Sequence, residues 1–131
     1  MPVLNPEALD SLWQLVGEDD SQMFLEVIES YLQEVPQLLS ECSEAIADQD
    51  KVRVQRLVHT LKSTSATLGA TLLSQACSDF EQRALEATAA EHQQRLSRLL
   101  AEYEPVKQAL LDLREETRQT VQSHEAQGGS A

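Results

Sequence analysis

Apolar side chains recur every three or four residues through four long stretches of this chain, and this period is typical of α-helices that bury one face. The longest stretch keeps the spacing for about 27 residues through Phe24, Ile28, Leu32, Val35, Leu39 and Ile46. Glycine, proline and aromatic residues number only four, four and five. A β fold would need more of these turn and strand formers. The pattern therefore predicts an all-α chain.

Capping residues and helix breakers predict where the helices begin and end. Asn5 and Pro6 are typical of a helix start, and Gly17 ends this short first helix. The run Glu18, Asp19, Asp20 and Ser21 caps the second helix, and Asp50 caps the third. Gly69 closes the third helix, where we expect a left-handed conformation. The predicted helices span about residues 6–15, 21–47, 51–68, 71–88 and 91–116.

Pro36 and Pro105 lie inside the second and fifth of these helices, where we expect kinks. The spacing also predicts which side chains are buried in the last three helices. They are Leu57, Leu61, Thr64 and Leu68 in the third, Leu72, Leu73, Ala76, Cys77, Phe80 and Leu85 in the fourth, and Leu96, Leu99, Leu100, Tyr103, Val106, Leu110 and Leu113 in the fifth.

Four long amphipathic helices with short connections pack most simply as an antiparallel, up-down four-helix bundle, here with a short additional N-terminal helix. We expect one domain over residues 1–117. The polar segment 118–131, which ends in Gly-Gly-Ser-Ala, is expected to be a disordered tail.

The formal charge of −12 disfavours a nucleic-acid binder or an adhesive for anionic lipid, and favours a protein partner. No run of 18 apolar residues and no basic, apolar leader is present, so we expect a cytoplasmic protein without a membrane span. The start at Met1 favours a free-standing protein, and we expect a monomer. Cys42 and Cys77 are expected to be reduced and buried.

Most catalytic and metal-binding signatures are absent from the sequence, including a P-loop, a dinucleotide fingerprint, paired Glu-x-x-His motifs and Cys-x-x-Cys. One window has an anomalous charge. Residues 51–78 contain no acid and four cations, which are Lys51, Arg53, Arg56 and Lys62, so the other 103 residues carry −16. An anion is therefore best tolerated on the third helix and the start of the fourth.

His59 lies in this window and is predicted to face solvent. On a helical wheel the apolar stripe of the third helix centres near about 10°, and His59 falls at about 200°. Its predicted outward neighbours are small or uncharged apart from one cation. They are Val52, Gln55, Lys62, Ser63 and Ala66. This face is suited to a docking partner.

The stretch His59-Thr-Leu-Lys-Ser-Thr-Ser-Ala-Thr-Leu-Gly69-Ala resembles the signature of the histidine phosphotransfer domain, which passes phosphoryl groups between receiver aspartates. The resemblance covers about residues 5–115. It implies a helical bundle with the phosphoryl-accepting histidine exposed in the middle of a helix.

By this resemblance His59 is the phosphoryl acceptor and Lys62 is the cation that compensates the phosphoryl charge. Gln55, Ser63, Gly69 and Glu81 are expected to support the site. Ser63 departs from the glycine that the family often has there and narrows the access. Glu81 lies at the offset of a side chain that contacts the imidazole in some members, and an ordinary surface acid is the competing interpretation.

The resemblance implies a phosphoprotein that acts as a phosphorelay intermediary without kinase activity. The implied partners are response-regulator receiver domains, with a hybrid sensor kinase as a further candidate. It implies no metal or cofactor of its own, because the receiver supplies Mg²⁺. An imidazole is largely neutral at pH 7 and can attack phosphorus without a dedicated base. The alternative is a helical module that binds or sequesters a receiver or another helical partner without being phosphorylated.

Other residues carry open alternatives. His92 and His124 are expected to be idle. Leu9 and Trp13 either make core contacts or, with Val52 and Ala66, form a docking patch. The hydroxyl cluster is either a phosphorylation target or, as we expect, a set of small residues that lets helices approach; it comprises Ser63, Thr64, Ser65 and Thr67.

Overall fold

The computed structural model of the chain describes residues 2–17 and 20–129. These residues form five α-helices and no strand, which confirms the all-α prediction. The helices are α1 (Pro6–Leu12), α2 (Ser21–Ala47), α3 (Lys51–Thr67), α4 (Thr71–Arg83) and α5 (Ala89–Gly129), and a π-helical turn over Trp13–Gly17 follows α1.

The predicted capping residues begin three helices. The side chain of Asn5 accepts a hydrogen bond from the Glu7 amide at 2.9 Å. Asp20 caps α2, and Asp50 accepts from the Arg53 amide at 3.1 Å at the start of α3. Each cap satisfies an amide that the helix leaves without a partner. Glu18 and Asp19, predicted to share in capping α2, lie outside the described residues.

Helices α2 to α5 form the predicted four-helix bundle. Each packs against its neighbour in the order α2, α3, α4, α5, and α5 closes the ring against α2. Short connections make neighbouring helices antiparallel, and α1 packs against α3 at one end. Pro36 and Pro105 lie inside uninterrupted helices, and the kinks stay a prediction. Over residues 2–17 and 20–129 no helix is both long enough and apolar enough to cross a membrane.

The core contains most of the predicted apolar residues, with a shifted stripe on α3. The fully buried residues of α3 include Val54, Val58 and Ser65. They place the centre of its buried face about 50° from the predicted direction on the helical wheel. Thr64 is consequently only half-buried. The hydroxyls of Ser65 and Tyr31 satisfy each other at 3.0 Å inside the bundle, so a polar residue can occupy the core side.

Three predicted core residues are exposed: Leu72, Leu85 and Leu100. Leu85 is exposed because α4 ends at Arg83, earlier than predicted. The next helix begins at Ala89, because Thr88 and Glu91 form a capping box in which each accepts the other's amide hydrogen at 3.2 Å. Leu72 and Leu100 lie on the solvent side of their helices.

The fifth helix extends beyond the predicted end at Glu116. Thr117 is buried, and the guanidinium of Arg118 donates to the Glu29 carboxylate of α2 at 3.0 Å. These contacts continue α5 through residues that we predicted as a disordered tail from 118 onward, so that prediction is wrong for the start of the tail. Ser130 and Ala131 lie outside the described residues.

Gly69 has the predicted left-handed conformation, with φ of 77°. Two backbone bonds close the end of α3 around it, from Gly69 to Ala66 at 3.0 Å and from Ala70 to Ser65 at 2.9 Å. A Cβ at this position would lie 2.9 Å from the backbone N and O of Asn5. Glycine is therefore required both for the turn and for the close approach of α1.

Gln49 ends α2 with the same backbone pattern but carries a side chain at φ of 56°. We expect Gln49→Gly to raise the free energy of unfolding by about 1 kcal/mol, because it removes the left-handed penalty. Urea denaturation measures this change. The matched control is Gln94→Gly in the exposed interior of α5, which should lower stability by about 1 kcal/mol. Equal losses for both variants would contradict the prediction.

Candidate functional site

His59 lies in the middle of α3 and its side chain is 58% exposed. The predicted outward orientation is confirmed. The residue lies on the side of α3 that adjoins α4, so its imidazole has one protein neighbour and one open edge.

Glu81 of α4 contacts both His59 and Lys62. Its Oε1 lies 2.5 Å from Nδ1 of His59, and its Oε2 lies 2.6 Å from Nζ of Lys62. The Glu81 side chain is 20% exposed. The competing interpretation of Glu81 as an ordinary surface acid is therefore wrong, and the carboxylate joins the two residues of the signature.

The carboxylate determines which imidazole nitrogen is free. A carboxylate only accepts hydrogen bonds, so His59 donates through Nδ1–H, and we assign the tautomer in which Nε2 holds the lone pair. This assignment follows from the hydrogen bond. Nε2 is on the edge of the ring away from Glu81 and is the candidate nucleophile.

The pKa of the Glu81 carboxyl lies below its ordinary value. Its hydrogen bond to the Lys62 ammonium is the main cause, partial desolvation opposes it, and the bond to His59 adds to it. The depressed pKa means that these contacts stabilise the fold at neutral pH, and that their contribution is lost as the pH falls through the pKa of the folded state. Glu81 thus remains a carboxylate over the neutral range.

Two further hydrogen bonds link α3 to α4 around this carboxylate. The Gln55 amide donates to the Glu81 backbone carbonyl at 3.4 Å, and the Ser74 hydroxyl donates to the Lys62 carbonyl at 3.1 Å. Gln55 was predicted as a supporting residue. Ser74 was not, although its place inside the acid-free window was a usable signal.

The Lys62 ammonium forms an ion pair with the Glu81 carboxylate and is not free beside the imidazole. Its side chain is 31% exposed, and its ammonium has three donors, of which the Glu81 carboxylate takes one. Lys62 can therefore orient Glu81 while keeping donors for an anion held above His59.

Ser63 and Gly69 lie at different distances from the His59 imidazole along the axis of α3. Ser63 is exposed, one turn beyond His59, and borders a groove of about 520 Å³ between α2 and α3. Gly69 lies ten residues beyond His59, about 15 Å along the helix axis. Its role is to fix α1 against α3 rather than to touch the site.

The four residues of the predicted docking patch lie on two parts of the molecule, and a single docking surface made of all four stays a prediction. Val52 and Ala66 are exposed on the His59 side of α3. Leu9 and Trp13 line a separate groove with α5, and Trp13 meets Phe24 edge to face at a centroid distance of 5.1 Å. The first helix joins α3 at Gly69, about 25 Å from Val52 along the axis.

His92 is a structural residue, not the idle one that we predicted. It is buried, stacks on Phe80 with ring centroids 5.6 Å apart, and donates from Nε2 to the Ala84 carbonyl at 2.8 Å. It therefore closes the α4–α5 turn. The side chain of His124 lies outside the part of the chain whose side chains are described.

The two cysteines are free and buried, as predicted. Burial raises the pKa of the Cys42 thiol to about 11 and that of Cys77 to about 12. Neither thiol is a nucleophile at neutral pH. Among the described residues, no three His, Cys, Asp or Glu side chains come together in a group that could hold a metal ion.

The family model described as "Hpt domain" matches residues 26–120 of this chain. The sensor protein TorS of Escherichia coli (strain K12) is 35% identical over 91 residues, which are 66% of this chain and 10% of that protein. The chain thus spans about a tenth of the length of TorS. The crystal structure of histidine-containing phosphotransfer protein B (HptB) from Pseudomonas aeruginosa PAO1 superposes with a TM-score of 0.79 at 20% identity, over 88% of this chain and 96% of that one. This likeness shows a shared fold.

Proposed function

This chain belongs to the Hpt domain family, and we propose that His59 accepts a phosphoryl group from the aspartate of one receiver domain and donates it to the aspartate of another. Its general role is histidine phosphotransfer in a phosphorelay. The observation that carries the finer proposal is the exposed imidazole of His59, whose Nδ1 is bound by Glu81 and whose Nε2 is left to react.

The transfer step needs no proton movement at the nucleophile. The Nε2 lone pair attacks phosphorus, an N–P bond forms, and the P–O bond to the aspartyl carboxyl breaks with its electron pair on the departing carboxylate. The ring keeps its Nδ1 proton and becomes cationic. Glu81, already hydrogen-bonded to Nδ1, stabilises this charge as it develops. Attack by a second receiver carboxylate reverses the bond changes.

Positioning and charge compensation supply the rest of the catalysis. Lys62 shares the Glu81 carboxylate with the imidazole and keeps donors for the phosphoryl oxygens. The surrounding acid-free window lowers repulsion toward the incoming phosphate in a chain of net charge −12. We propose that the receiver supplies Mg²⁺ and that the chain has no kinase activity. A hybrid sensor kinase is among the proposed partners, because the relative TorS is a sensor protein.

The experiment that tests this function is incubation with a receiver domain carrying a labelled aspartyl phosphate. We expect label to move to this chain, to be lost in acid and kept in alkali, and to pass to a second receiver. Binding of the receiver without any transfer of label would instead support a docking module that is not phosphorylated.

Ser63 tests the approach of the phosphoryl donor. We expect Ser63→Leu to slow transfer strongly, because a large side chain one turn beyond His59 obstructs the in-line approach to about 3–3.5 Å. Ser63→Gly should transfer at least as fast as the parent while losing about 0.5 kcal/mol of stability. Rates of label transfer and thermal unfolding measure both effects. A folded Ser63→Leu protein with the parent rate would show that the receiver approaches from elsewhere.

A further inference from the structure

A third groove lies between α2 and α5, on the side of the bundle opposite the α3–α4 pair that holds His59. Its volume is about 630 Å³, which lies within the usual range for a ligand or side-chain pocket. Nothing in the phosphotransfer chemistry uses it.

Apart from Glu104, the residues that α5 contributes to this groove follow helix-pairing spacing. They lie four, three, four, four and three residues apart: Leu96, Leu100, Tyr103, Lys107, Leu111 and Arg114. On α2 the groove residues Leu32, Pro36, Leu39 and Ser43 follow at steps of four, three and four. Two such rows side by side present holes for the side chains of a third helix.

Four of the exposed residues of the groove are apolar or small, and the other two, Glu104 and Lys107, are charged. Leu100 is 48% exposed, although the spacing of the sequence predicted it to be buried. On the α2 side Pro36, Ser40 and Ser43 are all exposed, and none carries a charge or a long side chain. This composition leaves room for an incoming helix backbone.

The groove also contains hydrogen-bond donors without acceptors. Tyr103 is only 5% exposed, and its hydroxyl has no hydrogen-bond partner in the described part of the chain. The same holds for Nε of Arg114. Lys107 forms no ion pair with a described carboxylate, although Glu104 also lines the groove. Buried donors are costly when unpaired, so the groove suits a partner that brings acceptors.

We infer that this groove binds an amphipathic α-helix of a partner protein, with apolar residues at helix-pairing spacing and two acidic residues about two turns apart that face Lys107 and Arg114. The seven-residue separation of the two cations sets the separation of the acids. The site is independent of His59 and can be occupied while His59 reacts.

The test is a displayed library of amphipathic helices, with leucine fixed at helix-pairing positions and all other positions randomised. It is selected on the full chain and counter-selected on Leu100→Glu. We expect enriched peptides to carry Asp or Glu seven residues apart. Against the double variant Lys107→Glu/Arg114→Glu they should bind at least about tenfold more weakly, and peptides with lysine in place of the acids should regain affinity for it.

The matched control is Arg83→Glu/Arg98→Glu, which makes the same charge change on two exposed cations away from the groove and outside the acid-free window, and should leave the dissociation constant within about twofold. Labelling of His59 by phosphoramidate should be unchanged in every variant, which verifies the fold and separates this inference from the proposed function. The inference would be overturned if the enriched peptides bound Leu100→Glu as tightly as the parent chain, or if they lacked the acidic pair. Two other results would also overturn it. One is a dimer in sedimentation in which a second copy of the chain fills the groove, and the other is binding of the fatty acid laurate in the groove.

Discussion

His59→Gln is expected to lose all label transfer and to keep the fold. Glutamine has no imidazole lone pair with which to form the N–P bond, so neither direction of transfer can proceed. The native side chain is more than half exposed, and its loss should change the free energy of unfolding by less than about 1 kcal/mol. The measurements are label transfer from a phosphorylated receiver and urea denaturation.

His92→Gln is the matched control, because it makes the same chemical change at a buried histidine. It removes the stacking on Phe80 and disturbs the bond to the Ala84 carbonyl. We expect a loss of about 1–3 kcal/mol in stability with label acquisition retained below the unfolding transition. A His59→Gln protein that still takes up acid-labile label, or that is destabilised more than His92→Gln, would contradict the site assignment.

The sequence predicted the helices and the outward position of His59 because both depend on local patterns. Caps at Asn5, Asp20 and Asp50 and the glycine at position 69 determine most helix ends. To predict that His59 faces solvent, only its angle from the apolar stripe on the helical wheel was needed. The predicted direction of that stripe was wrong by about 50°, and His59 still lies on the outer side of the helix.

The errors come from contacts between residues that are distant in sequence. Ser65 is buried because Tyr31, 34 residues earlier, satisfies its hydroxyl, and a serine has no local signal for burial. Likewise α5 continues past Glu116 through the pair of Arg118 and Glu29, which are 89 residues apart. The early end of α4 was different, because the capping box of Thr88 and Glu91 is a local pattern that could have been used.

Glu81 shows how far the sequence constrains the site. Its offset of 22 residues from His59 made a contact plausible, but the second half of α3, a turn and most of α4 separate the residues. Only the packing of α3 on α4, with the bonds from Gln55 and Ser74, decides that one carboxylate reaches both Nδ1 of His59 and the Lys62 ammonium. The pairing of Lys62 with Glu81 was not predicted, since the cation was expected beside the phosphoryl group.

Glu81→Leu is expected to slow phosphorylation of His59 by about 10–100-fold, by analogy with the loss that is typical when the partner that orients a metal-ligating histidine is removed. Two causes combine: Nδ1 loses the acceptor that fixes the reactive tautomer, and the cationic ring formed on transfer loses its counter-charge. Glu81→Gln keeps an acceptor but no charge, so its rate should fall between those of the parent and Glu81→Leu.

Two measurements separate this role from a loss of packing. Nitrogen NMR of His59 should show the Nδ1–H tautomer in the parent and a mixture in Glu81→Leu. Asp79→Asn removes a carboxylate from the same helix at an exposed site that pairs with Arg98 at 3.7 Å, and should leave the rate within about twofold. The stability that Glu81 contributes at neutral pH should vanish as the pH falls through its depressed pKa, so the unfolding free energies of the parent and Glu81→Gln should converge in acid. If Glu81→Leu reacted as fast as the parent with the tautomer unchanged, Lys62 alone would have to supply the electrostatic stabilisation of the transfer.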